Sequence, residues 1–110
     1  MSTNSCVAYY GLRFEVSRDE VEHLETLSDS RFGIARRAGL KLYWGNFAAP
    51  GERYMLFVGE QLAILGPENS LELSLPSYSL QELMNSTRAK LQAAGLSGEP
   101  SLYLQWQPDV

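Results

Sequence analysis

His23 is the only histidine in the chain and Cys6 the only cysteine, so the two residue types that most often carry metal or nucleophilic chemistry occur once each. A zinc site needs three or four ligands at suitable spacing, and these two are far apart. His23 follows Asp19 by four residues and Glu20 by three, the separations at which side chains meet on a helix surface, which suits a solvent-facing ion pair. Cys6 could act as a nucleophile only with an imidazole beside it. A lone cysteine near the start of a strand more often packs as a small hydrophobe. The acidic group Glu15, Asp19, Glu20, Glu22 and Glu25 could offer general acid–base chemistry. Four of these five, however, fall in the first turns of a helix, where negative charge offsets the helix dipole. Arg36, Arg37 and Lys41 stand at a helix end and do the same with the opposite sign. Neither G-x-G-x-x-G, a P-loop nor a G-x-S-x-G elbow is present. No catalytic residue, metal ligand or cofactor is therefore expected, and the balance leans against an enzyme.

The elements that would position these residues follow from local punctuation. Residues 6–16 read as a strand, with Tyr10, Leu12, Phe14 and Val16 on one face and Tyr9, Gly11, Arg13 and Glu15 on the other. Ser17 and Glu20 form a capping box that opens a helix, with Val16 and Val21 at the staple positions. This helix should bury Val21, Leu24 and Leu27, break at Ser28-Asp29-Ser30, and be followed by a second helix over Arg31–Ala38. Gly39 suits the left-handed residue that ends it, and Leu40 can fold back on its last turn. Strands are expected over Leu40–Phe47 and Arg53–Val58, joined by the turn Ala49-Pro50-Gly51-Glu52. Gly59-Glu60-Gln61 reads as a tight reversal, with Leu62–Leu65 as the return strand of a hairpin. Leu71–Leu75 reads as a half-buried strand ended by Pro76. Ser79 and Glu82 repeat the capping-box spacing, and the helix they open should bury Leu80, Leu83, Met84, Thr87 and Leu91. Gly95 and Leu96 close it, and Leu102, Leu104 and Trp106 mark a final strand. Asn85-Ser86-Thr87 matches the glycosylation sequon but lies inside that helix.

Twice, then, the order is strand, Ser-x-x-Glu, helix, Ala-Gly-Leu, strand. Two such β-α-β units place their helices on one sheet face. The expected fold is α+β and ferredoxin-like, β-α-β-β-(β-β)-α-β, a mostly antiparallel sheet with two or three helices on one face. One domain should span residues 1–110, with 1–5 and 108–110 as loose ends.

Composition narrows the function classes. Hydrophobic residues make up 45% of the 110 and charged residues 20%, an ordinary globular balance. The net charge of −4 comes from 9 Lys plus Arg against 13 Asp plus Glu, and repels phosphate backbones and anionic lipid. Tyr9, Tyr43 and Tyr103 could imitate the base-stacking aromatics of an RNA reader, but the basic residues that should accompany them are missing. Nucleic acid and membrane are therefore not expected as partners. A single cysteine rules out an intrachain disulfide and favours a reducing compartment, the cytoplasm. Residues 1–6 lack the character of a signal peptide, and no apolar run approaches the roughly 20 residues of a membrane span.

The stretch Tyr54-Met55-Leu56-Phe57-Val58 is apolar on both faces, and so is Leu62-Ala63-Ile64-Leu65. A half-solvated antiparallel strand should alternate. Two short crossover helices cover one face, which leaves Met55 and Phe57, with Tyr9, Tyr43 and Tyr103 near them, as an apolar surface of the kind that marks an interface. The function expected is a non-enzymatic interaction or regulatory module, a homodimer or the partner of another protein, whose association Phe57→Asp should break while sparing the fold. The competing possibility is that the chain covers this face itself. The alternative function is a small-molecule-binding domain or small enzyme of unknown ligand, with a pocket between sheet and helices drawing on Tyr10, Arg13, His23, Tyr43 or Trp44.

Overall fold

The structure, a computed structural model, describes residues 4–48 and 51–108. Its elements in chain order are β1 (Ser5–Val16), α1 (Arg18–Glu25), α2 (Ser30–Ala38), β2 (Lys41–Asn46), β3 (Tyr54–Leu65), α3 (Ser77–Ala93) and β4 (Ser101–Gln107). The strands form one four-stranded sheet in the order β2-β3-β1-β4, and every neighbouring pair is antiparallel. The protein is thus α+β, with three helices and an antiparallel sheet. Ser5, expected in a loose end, opens β1 and pairs with Gln107. The expected turn at Ala49-Pro50-Gly51-Glu52 lies partly outside the described residues, as do the outermost residues of both expected loose ends.

The helix boundaries are where local chemistry is most legible. Ser17 caps α1 in a complete capping box, its hydroxyl accepting from the Glu20 amide while the Glu20 carboxylate accepts from the Ser17 amide, and Val16 and Val21 are both buried beside it. Asp29 caps α2 by accepting from the Arg31 amide. Gly39 and Gly95 are both left-handed, with φ of 74° and 73°. Beyond each, a leucine amide reaches back to close the last turn, Leu40 N–H to the Ala35 carbonyl at 2.8 Å and Leu96 N–H to the Leu91 carbonyl at 3.1 Å. The Ser79 start is corrected. The N-cap is Pro76, three residues earlier, so that α3 begins at Ser77 and has no side-chain cap. The ring of Pro76 fixes its φ at −57° and leaves it extended at the N-cap, so the helix starts there, ahead of Ser79. Of the expected stripe on α3, Thr87 and Leu91 are buried, while Leu80, Leu83 and Met84 are half-buried.

Arg31 ties α1, α2 and β1 together. Its guanidinium donates to both carboxylate oxygens of Asp29 and to Glu20, and lies over the ring of Phe14. The hydrogen bonds from Arg31 hold Asp29 below the usual carboxylate range, and the Ser17 amide followed by Arg31 does the same for Glu20. Both groups bind protons more weakly folded than unfolded. The stability they contribute is therefore complete above the unfolded carboxylate pKa, near 4, and is lost as pH falls through their lower folded values. The melting temperature is expected to be flat from neutrality to about pH 5 and to fall below about pH 4. Asp29→Asn, which can still cap the helix, should lower the plateau and make that acid fall shallower in a pH series of thermal melts.

Two expected strands are corrected. Residues 59–61 do not reverse the chain: β3 runs on as one strand of 12 residues, so the inserted hairpin is absent. Gly59 instead pairs with Gly11 of β1, both at positive φ (156° and 153°). A Cβ on Gly11 would sit 2.2 Å from the Val58 carbonyl oxygen, and one on Gly59 would sit 2.2 Å from that of Tyr10. Each glycine is there because the opposite backbone passes through the space a side chain would need. The polar Gly59-Glu60-Gln61 reads as a turn by composition, but is here the close crossing of two long strands. Leu62 is the extra residue of a bulge, since Ala8 faces Ala63 while Tyr9 faces Gln61. The second correction is Leu71–Leu75. This segment is irregular, touching the sheet by one isolated bridge from Leu65 to Ser70, with Leu71 exposed. Leu73 and Leu75 line a groove, described below, and the segment pairs with no neighbouring strand.

One core lies between the sheet and the helices. It contains Leu12 and Val16 of β1, Leu56 and Val58 of β3, Val21 and Leu24 of α1, Ala35 of α2, Leu40, and Leu91 of α3. Leu27, expected in it, is 68% exposed and takes a left-handed φ of 59° as the chain turns between α1 and α2.

Candidate functional site

A second cluster fills the opposite face of the sheet, and it gathers all five residues expected at an interface. Tyr9, Met55 and Phe57 are buried together with Val7 and Phe47, and Tyr43 and Tyr103 pack on them half-buried. Phe57 is at the centre, its ring centroid 5.3 Å from that of Tyr9 and 5.6 Å from those of Phe47 and Tyr103. The two outermost strands, β2 and β4, reach across this face to one another. Tyr43 Oη donates to the side chain of Gln107, and Gly45 leaves room for that side chain, whose Nε2 would lie 2.6 Å from a Cβ there. Tyr9 Oη donates to the Lys41 carbonyl. Arg13 completes the closure, stacking over Tyr103 and donating to Gln105. The sheet is therefore curled, and its concave side is packed with the chain's own rings. Burial, and after it the negative charge of Glu60, pushes the Tyr9 phenol well above its ordinary pKa; burial raises Tyr43 as well. Both stay protonated donors at neutral pH.

The second face is thus covered by the chain itself, through its edge strands and aromatic rings and not through helices. Met55 is 1% exposed and Phe57 is fully buried, so neither has surface to offer a partner. The same closure leaves Tyr9 no free ring face for a base to stack on.

The exposed apolar surface lies elsewhere, on β4, whose Tyr103 was expected on the aromatic face and whose Leu102, Leu104 and Trp106 fall on the other. α3 lies over β1 and β3 and α2 over β2, so β4 projects past the helical layer. Leu102, Leu104 and Trp106 point to the helix side of the sheet and are 50%, 67% and 56% exposed. Next to them runs a groove of about 320 Å³ lined by seven leucines: Leu62, Leu65, Leu73, Leu75, Leu80, Leu102 and Leu104. Leu71 and Tyr78 are exposed in the segment that forms its far wall. No strand pairs with the outer side of β4 among the described residues. Sequence reasoning missed this patch. The alternation in residues 101–107 was visible and separates Leu102, Leu104 and Trp106 from Tyr103, but whether the helices cover that half depends on where they end.

The residues of the alternative pocket are dispersed. Tyr10 is buried, its hydroxyl accepting from Arg88, and Trp44 packs on the helix-side core. Arg13 and Tyr43 are on the other face. His23 is exposed on α1, where Nδ1 shares a hydrogen bond with the Ser28 hydroxyl at 3.1 Å; the expected pairing with Asp19 or Glu20 is replaced, because Arg31 engages Glu20. Cys6 is half-buried in β1. A wider groove of about 650 Å³ lies between α2 and β2, lined by Leu27, Phe32, Leu40, Leu42 and Arg36 among others. Among the described residues no helix is long and apolar enough to cross a membrane. Set against models of known protein families, characterised proteins and solved structures, the chain matches none of them.

Proposed function

We propose that this chain is a non-enzymatic protein-interaction module that associates through the leucine edge at β4 and the groove beside it. The observation that carries the reading is the contrast between the two sides of the molecule. The aromatic face is sealed by the chain itself, while Leu102, Leu104 and Trp106 stand in solvent beside five further leucines of the groove. Contiguous exposed apolar surface of this kind marks contact with another macromolecule. The unpaired edge supports the same reading, since β4 offers backbone donors and acceptors along its outer side. The fold is read with it as ferredoxin-like: the order β2-β3-β1-β4, with helical crossovers from β1 to β2 and from β3 to β4, supports that plan.

A photo-crosslinking side chain placed at Leu75, on the groove wall, tests the reading in cells that express the protein. A discrete, heavier crosslinked species is expected, and it should vanish when Leu104→Lys is added. If illumination yields only the free chain, the edge is not an interaction surface and the reading falls.

A further inference from the structure

We infer that the occupant of this edge is a second copy of the same chain, its β4 lying antiparallel to the first about a two-fold axis at Leu104. The inference rests on the interaction reading above and adds the partner and the register.

Natural edge strands avoid such pairing with a lysine, a proline or an inward charge. β4, Ser101–Gln107, reads Ser-Leu-Tyr-Leu-Gln-Trp-Gln and has none of these. The opposite edge, β2, carries Lys41, which is paired with Glu60, and Gly45. An antiparallel strand can pair with its own copy because a two-fold axis makes the contact isologous. The register that overlaps all seven residues sets Leu104 opposite Leu104, Leu102 opposite Trp106, Tyr103 opposite Gln105 and Ser101 opposite Gln107. On the helix side every pair is then apolar against apolar, and on the other side every pair is uncharged. The molecule's net charge of −4 therefore sets no like charges against each other along the strand. The same register places the exposed indole of Trp106 against Leu102 of the other copy, at the wall of the leucine groove, and does so twice by symmetry. A large aromatic knob and a concave apolar hole on one self-complementary edge are the parts of an interface core.

Cysteine trapping on the purified full chain, in a Cys6→Ser background, reads the register directly. Residues opposed across an antiparallel pair have Cα atoms about 4.5–5.5 Å apart, within disulfide reach. Leu104→Cys is expected to form a disulfide-linked dimer that retains the native circular dichroism. Leu102→Cys, similarly exposed, would lie roughly 14 Å from its own copy at 3.3 Å per residue, and should remain monomeric on a non-reducing gel. Failure of Leu104→Cys to crosslink, or equal crosslinking by both, overturns the proposed two-fold. The crosslinked species from Leu75 in cells separates the two claims. A mass of twice the chain supports self-pairing; a different protein as partner overturns it while leaving the interaction reading intact; no adduct at all removes both.

Discussion

Phe57→Asp is expected to prevent folding, with loss of the native circular dichroism and no cooperative thermal transition. Phe57 is fully buried and touches the rings of Tyr9, Phe47 and Tyr103, so its removal alone resembles a core phenylalanine truncation, about 3–5 kcal/mol. The carboxylate then has to be buried among aromatic rings, where Arg13, the cross-strand partner of position 57, is already held over Tyr103 and bonded to Gln105, or be protonated against its preference, and either adds to the loss. Domains of this size are stable by about 5–15 kcal/mol in total. The sequence reading expected this variant to keep its fold and lose only a partner; burial reverses that expectation. A soluble Phe57→Asp protein that melts within a few degrees of the parent would mean that the aromatic face opens, and the packing of β2 against β4 across it would have to be abandoned. Phe57→Leu, which keeps the face apolar, should fold and melt lower.

Gly11→Ala and Gly59→Ala are the second pair of large effects, each expected to cost on the order of 4 kcal/mol or more. Two penalties add at each position. The backbone angle lies where side-chain-bearing residues are strained, and the new Cβ meets the opposing strand's carbonyl oxygen at 2.2 Å. That neighbour is backbone in a paired strand and cannot swing aside as a side chain would. Gly33→Ala is the control, because its Cβ would meet only the end of the flexible Arg37 side chain, at 3.5 Å, inside a helix. It should gain up to about 1 kcal/mol. Urea unfolding followed by circular dichroism would show the midpoint moving down for the strand variants and up for the helix variant, at similar slopes. Equal tolerance of all three would mean that the two strands do not cross this closely.

Helix boundaries were legible because they are set within a few residues. The Ser17–Glu20 box, the Ser28-Asp29-Ser30 break and the two Ala-Gly-Leu endings depend on nothing farther away than one turn. The sheet was harder. Gly59-Glu60-Gln61 has turn composition, and only knowing that Gly11 crosses there explains why two glycines and no reversal were needed. Leu71–Leu75 has the strand period but runs as irregular chain, with Leu73 and Leu75 turned into the groove beside β4. The five aromatic and sulfur side chains predicted to lie together do so, since strand alternation alone puts them on one face. Whether that face is open was not readable, because its closure comes from Tyr43 and Gln107, 64 residues apart and on strands that are not neighbours. The exposed leucines followed the same logic in reverse: their alternation is local, while their exposure is decided by how far α3 extends over the sheet.

The position of β1 inside the sheet has a kinetic consequence. The first strand in the chain is flanked by β3 and β4, so its ladders join Cys6 to Leu65 and Ser5 to Gln107, and neither can form until distant segments meet. Loop closure has to come before those ladders return any energy, which makes folding slower than that of a helical protein of this length. During that wait both sides of β1 are unpaired, and Val7-Ala8-Tyr9-Tyr10 is an uncharged run able to pair with other nascent chains.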